Sequence, residues 1–86
     1  WTVEAIRELQ RQILNLSVRA LDAVPKEERE ISTVTFSVSR ERFLRIRTRI
    51  QEMRAEILAL VRTDPDPDAV YHLAIQLFPA TAKERA

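Results

Sequence analysis

The stretch that decides the predicted fold lies near the end of the chain and reads Val70-Tyr71-His72-Leu73-Ala74-Ile75-Gln76-Leu77-Phe78-Pro79. Successive side chains of an extended backbone point to opposite faces. Leu73, Ile75 and Leu77 would therefore share one face, while His72 and Gln76 would share the other. This alternation predicts a strand with an apolar face and a polar face, and it favours a mixed fold over an all-helical one.

A second alternating tract lies in the middle of the chain, at residues 31–38, and is rich in β-branched residues that favour strands. One face carries Val34, Phe36 and Val38, and the other carries Thr33, Thr35 and Ser37. Pairing the two strands would place their polar residues on a common sheet face, the candidate polar face, which consists of Thr33, Thr35, Ser37, His72 and Gln76. Three roles remain open for this face: a solvated surface, a contact with an upstream region, or a small-molecule site.

Two helices are predicted around the central strand, because apolar residues recur at alternating spacings of three and four. The first runs from about Thr2 to Val24, and the second begins at the capping residue Ser39 and runs to about Thr63. Proline-containing turns end both, at Pro25 and in the acidic tract at residues 64–68. The candidate seam for the core or for a dimer interface is Ile6, Leu9, Ile13, Leu16, Phe43, Ile46, Ile50, Met53, Ile57 and Leu60.

The predicted fold class is α/β, in the α+β sense: a two-layer α-β-α-β sandwich with two long helices on one face of a small sheet. Two strands make a weak sheet, so we expect a homodimer that extends the sheet to four strands. The 86 residues are expected to form a single domain. Because the chain starts at Trp1 and its first helix follows almost at once, we expect a C-terminal regulatory or dimerisation domain excised from a longer chain.

Composition narrows the possible chemistry. Cysteine and glycine are both absent and there is one histidine. These counts argue against disulfides, thiolate metal sites and the glycine-rich loops that hold phosphates. The aspartates at residues 64–68 lack the glycine and the distal glutamate of a calcium loop. We therefore expect no enzyme activity, no catalytic residues, no metal and no cofactor.

The weak basic patch is the main charged feature and consists of Arg40, Arg42, Arg45, Arg47 and Arg49, with Glu41 among them. Its arginines could contact phosphate. However, the net charge of the chain is only +1. We expect a solvated, ion-paired face, with nucleic acid or an acidic protein as the alternatives. Direct nucleic-acid binding by this domain is not expected, and no apolar run is long enough to cross a membrane.

Three tracts together carry a resemblance to a known family. They are residues 5–14, residues 31–39 and residues 71–79, and they span nearly the whole chain. They resemble the C-terminal part of an uncharacterised bacterial family, expanded as paralogues in Fibrobacter and Bdellovibrio and regarded as a domain of unknown function. The chain departs from the family pattern at Leu9-Gln10, where an aromatic-His pair is common, and at Ala74, where a polar residue is more usual.

The resemblance implies a role in regulation, because this segment of the family follows a region similar to a winged helix-turn-helix and its members are regarded as transcriptional regulators. The expected function is therefore a non-catalytic regulatory or dimerisation domain of a cytoplasmic bacterial transcriptional regulator. Its expected partners are a second copy and an upstream DNA-binding region of the same chain. The alternative is a protein-docking module of a signalling protein unrelated to transcription.

Overall fold

The computed structural model of the chain describes residues 1–81. Helix α1 spans Val3–Ala23 and helix α2 spans Arg40–Arg62, with a single 3₁₀ turn at Lys26–Glu28 between them. The prediction of two helices, and of the segments they occupy, is confirmed. Both helices follow the three- and four-residue spacing of their apolar side chains.

Helix α1 is closed at both ends by local hydrogen bonds. At its start, the Oγ1 of Thr2 accepts a hydrogen bond from the backbone N–H of Ala5, with an oxygen–nitrogen distance of 3.1 Å. At its end, the N–H of Val24 donates to the carbonyl of Ala20 at 3.1 Å, and the Nε of Arg29 donates to the carbonyl of Val24 at 3.0 Å. These contacts satisfy groups that a helix end otherwise leaves to water.

Helix α2 begins at the predicted cap. The Oγ of Ser39 accepts a hydrogen bond from the backbone N–H of Arg42 at 3.2 Å, and Glu41 places a negative charge in the first turn. Beyond the last turn, the N–H of Asp66 donates to the Oδ1 of Asp64 at 3.0 Å. This turn and the two prolines that follow Asp64 end the helix, as the sequence predicts.

The prediction of two strands is wrong. Within residues 1–81 neither the tract at 31–38 nor the tract at 70–79 is a strand, and neither has the backbone hydrogen bonds of a strand ladder. The alternation of apolar and polar residues indicates only which side chains would share a face if the segment were paired in a sheet. The preference of a residue for a strand depends strongly on that pairing. An isolated pair of short strands is at best marginally stable in water.

The α/β sandwich is therefore wrong as well, since the described residues contain helices and no sheet. They fall into two units. One comprises Trp1–Val34 with His72–Ile75 and contains α1, and the other comprises Thr35–Tyr71 with the segment from Gln76 and contains α2. Fold class is thus helical, with long irregular segments before and after α2.

Apolar side chains are poorly covered in both units. No described residue is buried, and the accessible surface is 8679 Å². Neither helix of the described part is long and apolar enough to span a membrane.

Candidate interaction surface

A groove with a volume of about 570 Å³ runs along helix α2. Four apolar and four charged side chains line it, and they are named here the floor and the rim. The floor consists of Val38, Ile46, Ile50 and Met53, and the rim consists of Arg42, Arg45, Arg49 and Glu56. An apolar floor with a charged rim is the usual arrangement of a surface that binds another protein.

Three floor residues, Ile46, Ile50 and Met53, belong to a longer apolar stripe, the α2 stripe. This stripe contains all six predicted seam residues of the helix: Phe43, Ile46, Ile50, Met53, Ile57 and Leu60. Their spacing alternates between three and four, which is the heptad pattern of helices that pack side by side. Phe43, Ile46, Ile50 and Ile57 are half-buried, whereas Leu60, at the end of the stripe, is 73% exposed. The stripe thus runs along most of the helix, and none of its residues is fully buried.

The charged rim follows the same seven-residue repeat. Arg42, Arg49 and Glu56 occupy equivalent positions one heptad apart, just beside the stripe. Arg49 pairs with Glu52 of its own helix, with an Nη1–Oε1 distance of 3.1 Å. Glu56 forms no ion pair with any residue in the described part of the chain. This flank therefore changes from positive to negative along the helix.

The predicted basic patch is split by the structure. Arg42, Arg45 and Arg49 line the groove. Arg40 instead lies over the ring of Phe43, with its guanidinium carbon 5.2 Å from the ring centroid, in the range of a cation–π contact. Arg47 is exposed and does not line the groove. The five arginines thus do not form one surface.

Helix α1 carries the other predicted seam residues, which form the α1 stripe: Ile6, Leu9, Ile13 and Leu16. Ile13 is half-buried, and the other three stay exposed. Charged residues lie away from this stripe; Arg11 and Glu8, for example, form an exposed ion pair at 3.2 Å. The α1 stripe therefore offers apolar contact with little charge beside it.

The candidate polar face does not exist as a sheet face, because the described residues contain no sheet. Thr33, Thr35, Ser37, His72 and Gln76 are all exposed, and the two units divide them. The pairing that would have aligned them depends on backbone hydrogen bonds that the described residues do not make. Within residues 1–81, no group of three or more His, Asp or Glu side chains is placed to hold a metal ion.

Two groove residues were missed as site residues by the sequence analysis. Val38 was assigned to the apolar face of a strand, and the structure places it on the groove floor just before α2. Glu56 lies beyond the stretch 40–49 that contains the predicted basic patch. The signal that identifies Glu56 is its spacing of seven from Arg49 and of fourteen from Arg42.

Comparison with known families gives one match. The family described as "Domain of unknown function (DUF4423)" matches residues 1–80. The chain belongs to this family, so the prediction of a domain of unknown function is confirmed. None of the curated proteins and none of the solved structures matches the chain.

Proposed function

We propose that this domain is a non-catalytic dimerisation domain of a bacterial transcriptional regulator. The observation that carries the proposal is the uncovered apolar surface: both helices have an apolar stripe, yet no described residue is buried. Burying apolar area is the main stabilising contribution available to so short a chain. A partner that covers the stripes supplies the missing burial.

The size of the uncovered surface supports a permanent partner over a transient one. Obligate homodimer interfaces bury about 2,000–5,000 Å² in total, or about 1,000–2,500 Å² on each chain. The two stripes together carry ten apolar residues and none of them is buried, which suits an interface of this kind.

The transcriptional part of the proposal rests on the resemblance of the three tracts to regulators that carry a winged helix. In this proposal an upstream region reads the DNA and the present domain brings two copies together, which suits the two-fold symmetry of many DNA sites. The coding sequence upstream of Trp1 tests this part directly. A winged helix there supports it, whereas a different domain favours the protein-docking alternative.

Analytical ultracentrifugation at micromolar concentration tests the dimer. We expect the mass of two chains over a tenfold range of concentration, with apolar residues of at least one helix in the interface. Circular dichroism in parallel reports whether the helices persist. A helical monomer throughout this range would refute the proposal.

A further inference from the structure

We infer that helix α2 pairs antiparallel with the α2 of a second copy, with the groove of each copy filled by the stripe of the other. The inference rests on the proposed dimer and specifies which face forms it, in which direction and in which register. The α2 stripe and its charged flanks carry it.

The register follows from the centre of the stripe. Three residues of the stripe precede its centre and three follow it. A two-fold axis would therefore cross the helix midway between Ile50 and Met53. In this register Ile50 packs against the partner's Met53, Ile46 against the partner's Ile57, and Phe43 against the partner's Leu60. Each apolar residue of the stripe then has an apolar neighbour across the axis, as a self-complementary interface requires.

The charged flank selects the antiparallel direction. The groove-side flank is the row beside the stripe that carries Arg42, Arg49 and Glu56. When two helices pack antiparallel, this flank of one helix meets the same flank of the other. Arg49 then lies beside the partner's Glu56, and the symmetry repeats this pair on the other side of the axis. Glu56 forms no ion pair among the described residues of its own chain, so the dimer supplies the one it lacks.

The parallel arrangement is disfavoured by the same side chains. Parallel packing would bring the groove-side flank of one helix against the opposite flank of its partner, which carries Arg47 and Arg54. Arg42 would then face the partner's Arg47, and Arg49 would face the partner's Arg54. The antiparallel pair also has an unfavourable contact between Arg47 and the partner's Arg54, which the symmetry repeats, but the two Arg49–Glu56 contacts offset these two contacts. The parallel pair has like-charge contacts without such an offset, which penalises it relative to the antiparallel pair.

The ends of the helices add to the preference. In the antiparallel register the first turn of α2, with Ser39 as cap and Arg40 and Arg42 beside it, lies next to the partner's Asp64. An aspartate is favoured there by the partial positive charge of the helix start as well as by the arginines. Opposed helix dipoles are also favourable in an antiparallel pair.

Reversing charges tests the inference. Arg49→Glu alone places a second carboxylate beside the partner's Glu56 at both symmetric positions, and Glu56→Arg alone creates the opposite clash. Each single variant should dimerise about tenfold more weakly than the parent chain. An equimolar mixture of the two should form heterodimers in preference to either homodimer, and the double variant R49E/E56R should recover homodimerisation. Native mass spectrometry with one variant isotopically labelled counts the three species.

Helix α1 provides a matched control. Arg11→Glu and Glu8→Arg carry the same charge changes on an exposed helix surface, and each breaks an ion pair of the same spacing as Arg49–Glu52. An equimolar mixture of these two variants should form the heterodimer and the two homodimers in statistical proportion. Circular dichroism on all variants separates loss of helix from loss of pairing.

The outcomes separate this inference from the proposed dimer. Heterodimer preference for the α2 pair alone supports the inference. If the α2 variants and the α1 control variants both form homodimers and heterodimers in statistical proportion, the α2 interface is overturned but the proposed dimer still stands. Tighter dimerisation of Arg49→Glu would overturn the antiparallel direction, because that change relieves the Arg49–Arg54 clash of a parallel pair. A parent chain that is monomeric would refute both proposals.

Discussion

Helices α1 and α2 have similar lengths, at 21 and 23 residues, and each carries an apolar stripe with the same spacing, but they differ beside the stripe. The α1 stripe is flanked mainly by Gln10, Gln12 and Ser17, whereas the α2 stripe is flanked by charged residues that change sign along the helix. Apolar contact is non-directional and tolerates many partners. Charges beside an apolar seam add direction and register. Helix α1 is therefore suited to general burial, and helix α2 to a specific pairing.

The largest expected effect comes from removing apolar volume at the centre of each stripe. Ile50→Ala in α2 should destabilise the dimer by about 2–5 kcal/mol for each chain, the usual cost of truncating an isoleucine in a packed interface. Leu44→Ala is the control, because Leu44 is exposed and lies about 160° around the helix from Ile46. Its substitution should change the free energy of unfolding by no more than about 0.5 kcal/mol.

The same experiment on α1 sharpens the comparison. Ile13 is half-buried, so Ile13→Ala should also destabilise the chain, while Val18→Ala should not, since Val18 is 64% exposed. Chemical denaturation of all four variants, with their dimer dissociation constants, decides the matter. If Ile50→Ala leaves dimerisation unchanged and Ile13→Ala abolishes it, the specific interface belongs to α1 and the assignment above is reversed.

The helix caps give an effect of intermediate size. Ser39→Ala removes the hydrogen bond from the N–H of Arg42 to the Ser39 Oγ and should cost about 1 kcal/mol. Thr2→Ala removes the equivalent bond to the N–H of Ala5. It should cost less, because threonine is a weaker helix cap than serine. Thermal unfolding followed by circular dichroism compares the two, and equal losses would contradict the expected difference between the caps.

How far the sequence predicts this molecule depends on how local the interactions are. Both helices were predictable, because their caps and apolar spacing lie within the segments themselves; Ser39 and the turn at Asp64 bound α2 where the pattern indicates. The strands were not, because a strand needs hydrogen bonds from another segment and alternation at residues 31–38 cannot reveal whether any is available. The groove was half predictable. Three of its four floor residues follow from helical spacing, whereas Val38 precedes the helix and the place of Glu56 beside the stripe emerges only when its position is compared with that of Arg49, one heptad earlier.

The smallest expected effect is that of salt, which acts on charged flanks and hardly on apolar stripes. Raising ionic strength from about 0.1 M to about 1 M shortens the screening length from about 10 Å to about 3 Å. The dissociation constant of the proposed parent dimer should change by no more than about threefold, because attractive and repulsive flank contacts offset each other and exposed pairs are worth only about 0.2–1 kcal/mol.

The charge-reversed variant should respond more strongly to salt than the parent. Arg49→Glu fails through repulsion, so high salt should restore most of its dimerisation, as measured by sedimentation in the two buffers. Ile50→Ala is the matched control: it loses apolar contact, which screening does not replace. If salt fails to restore Arg49→Glu, its defect lies in packing and not in charge, and the flank that distinguishes α2 from α1 would not be what sets the direction of the pair.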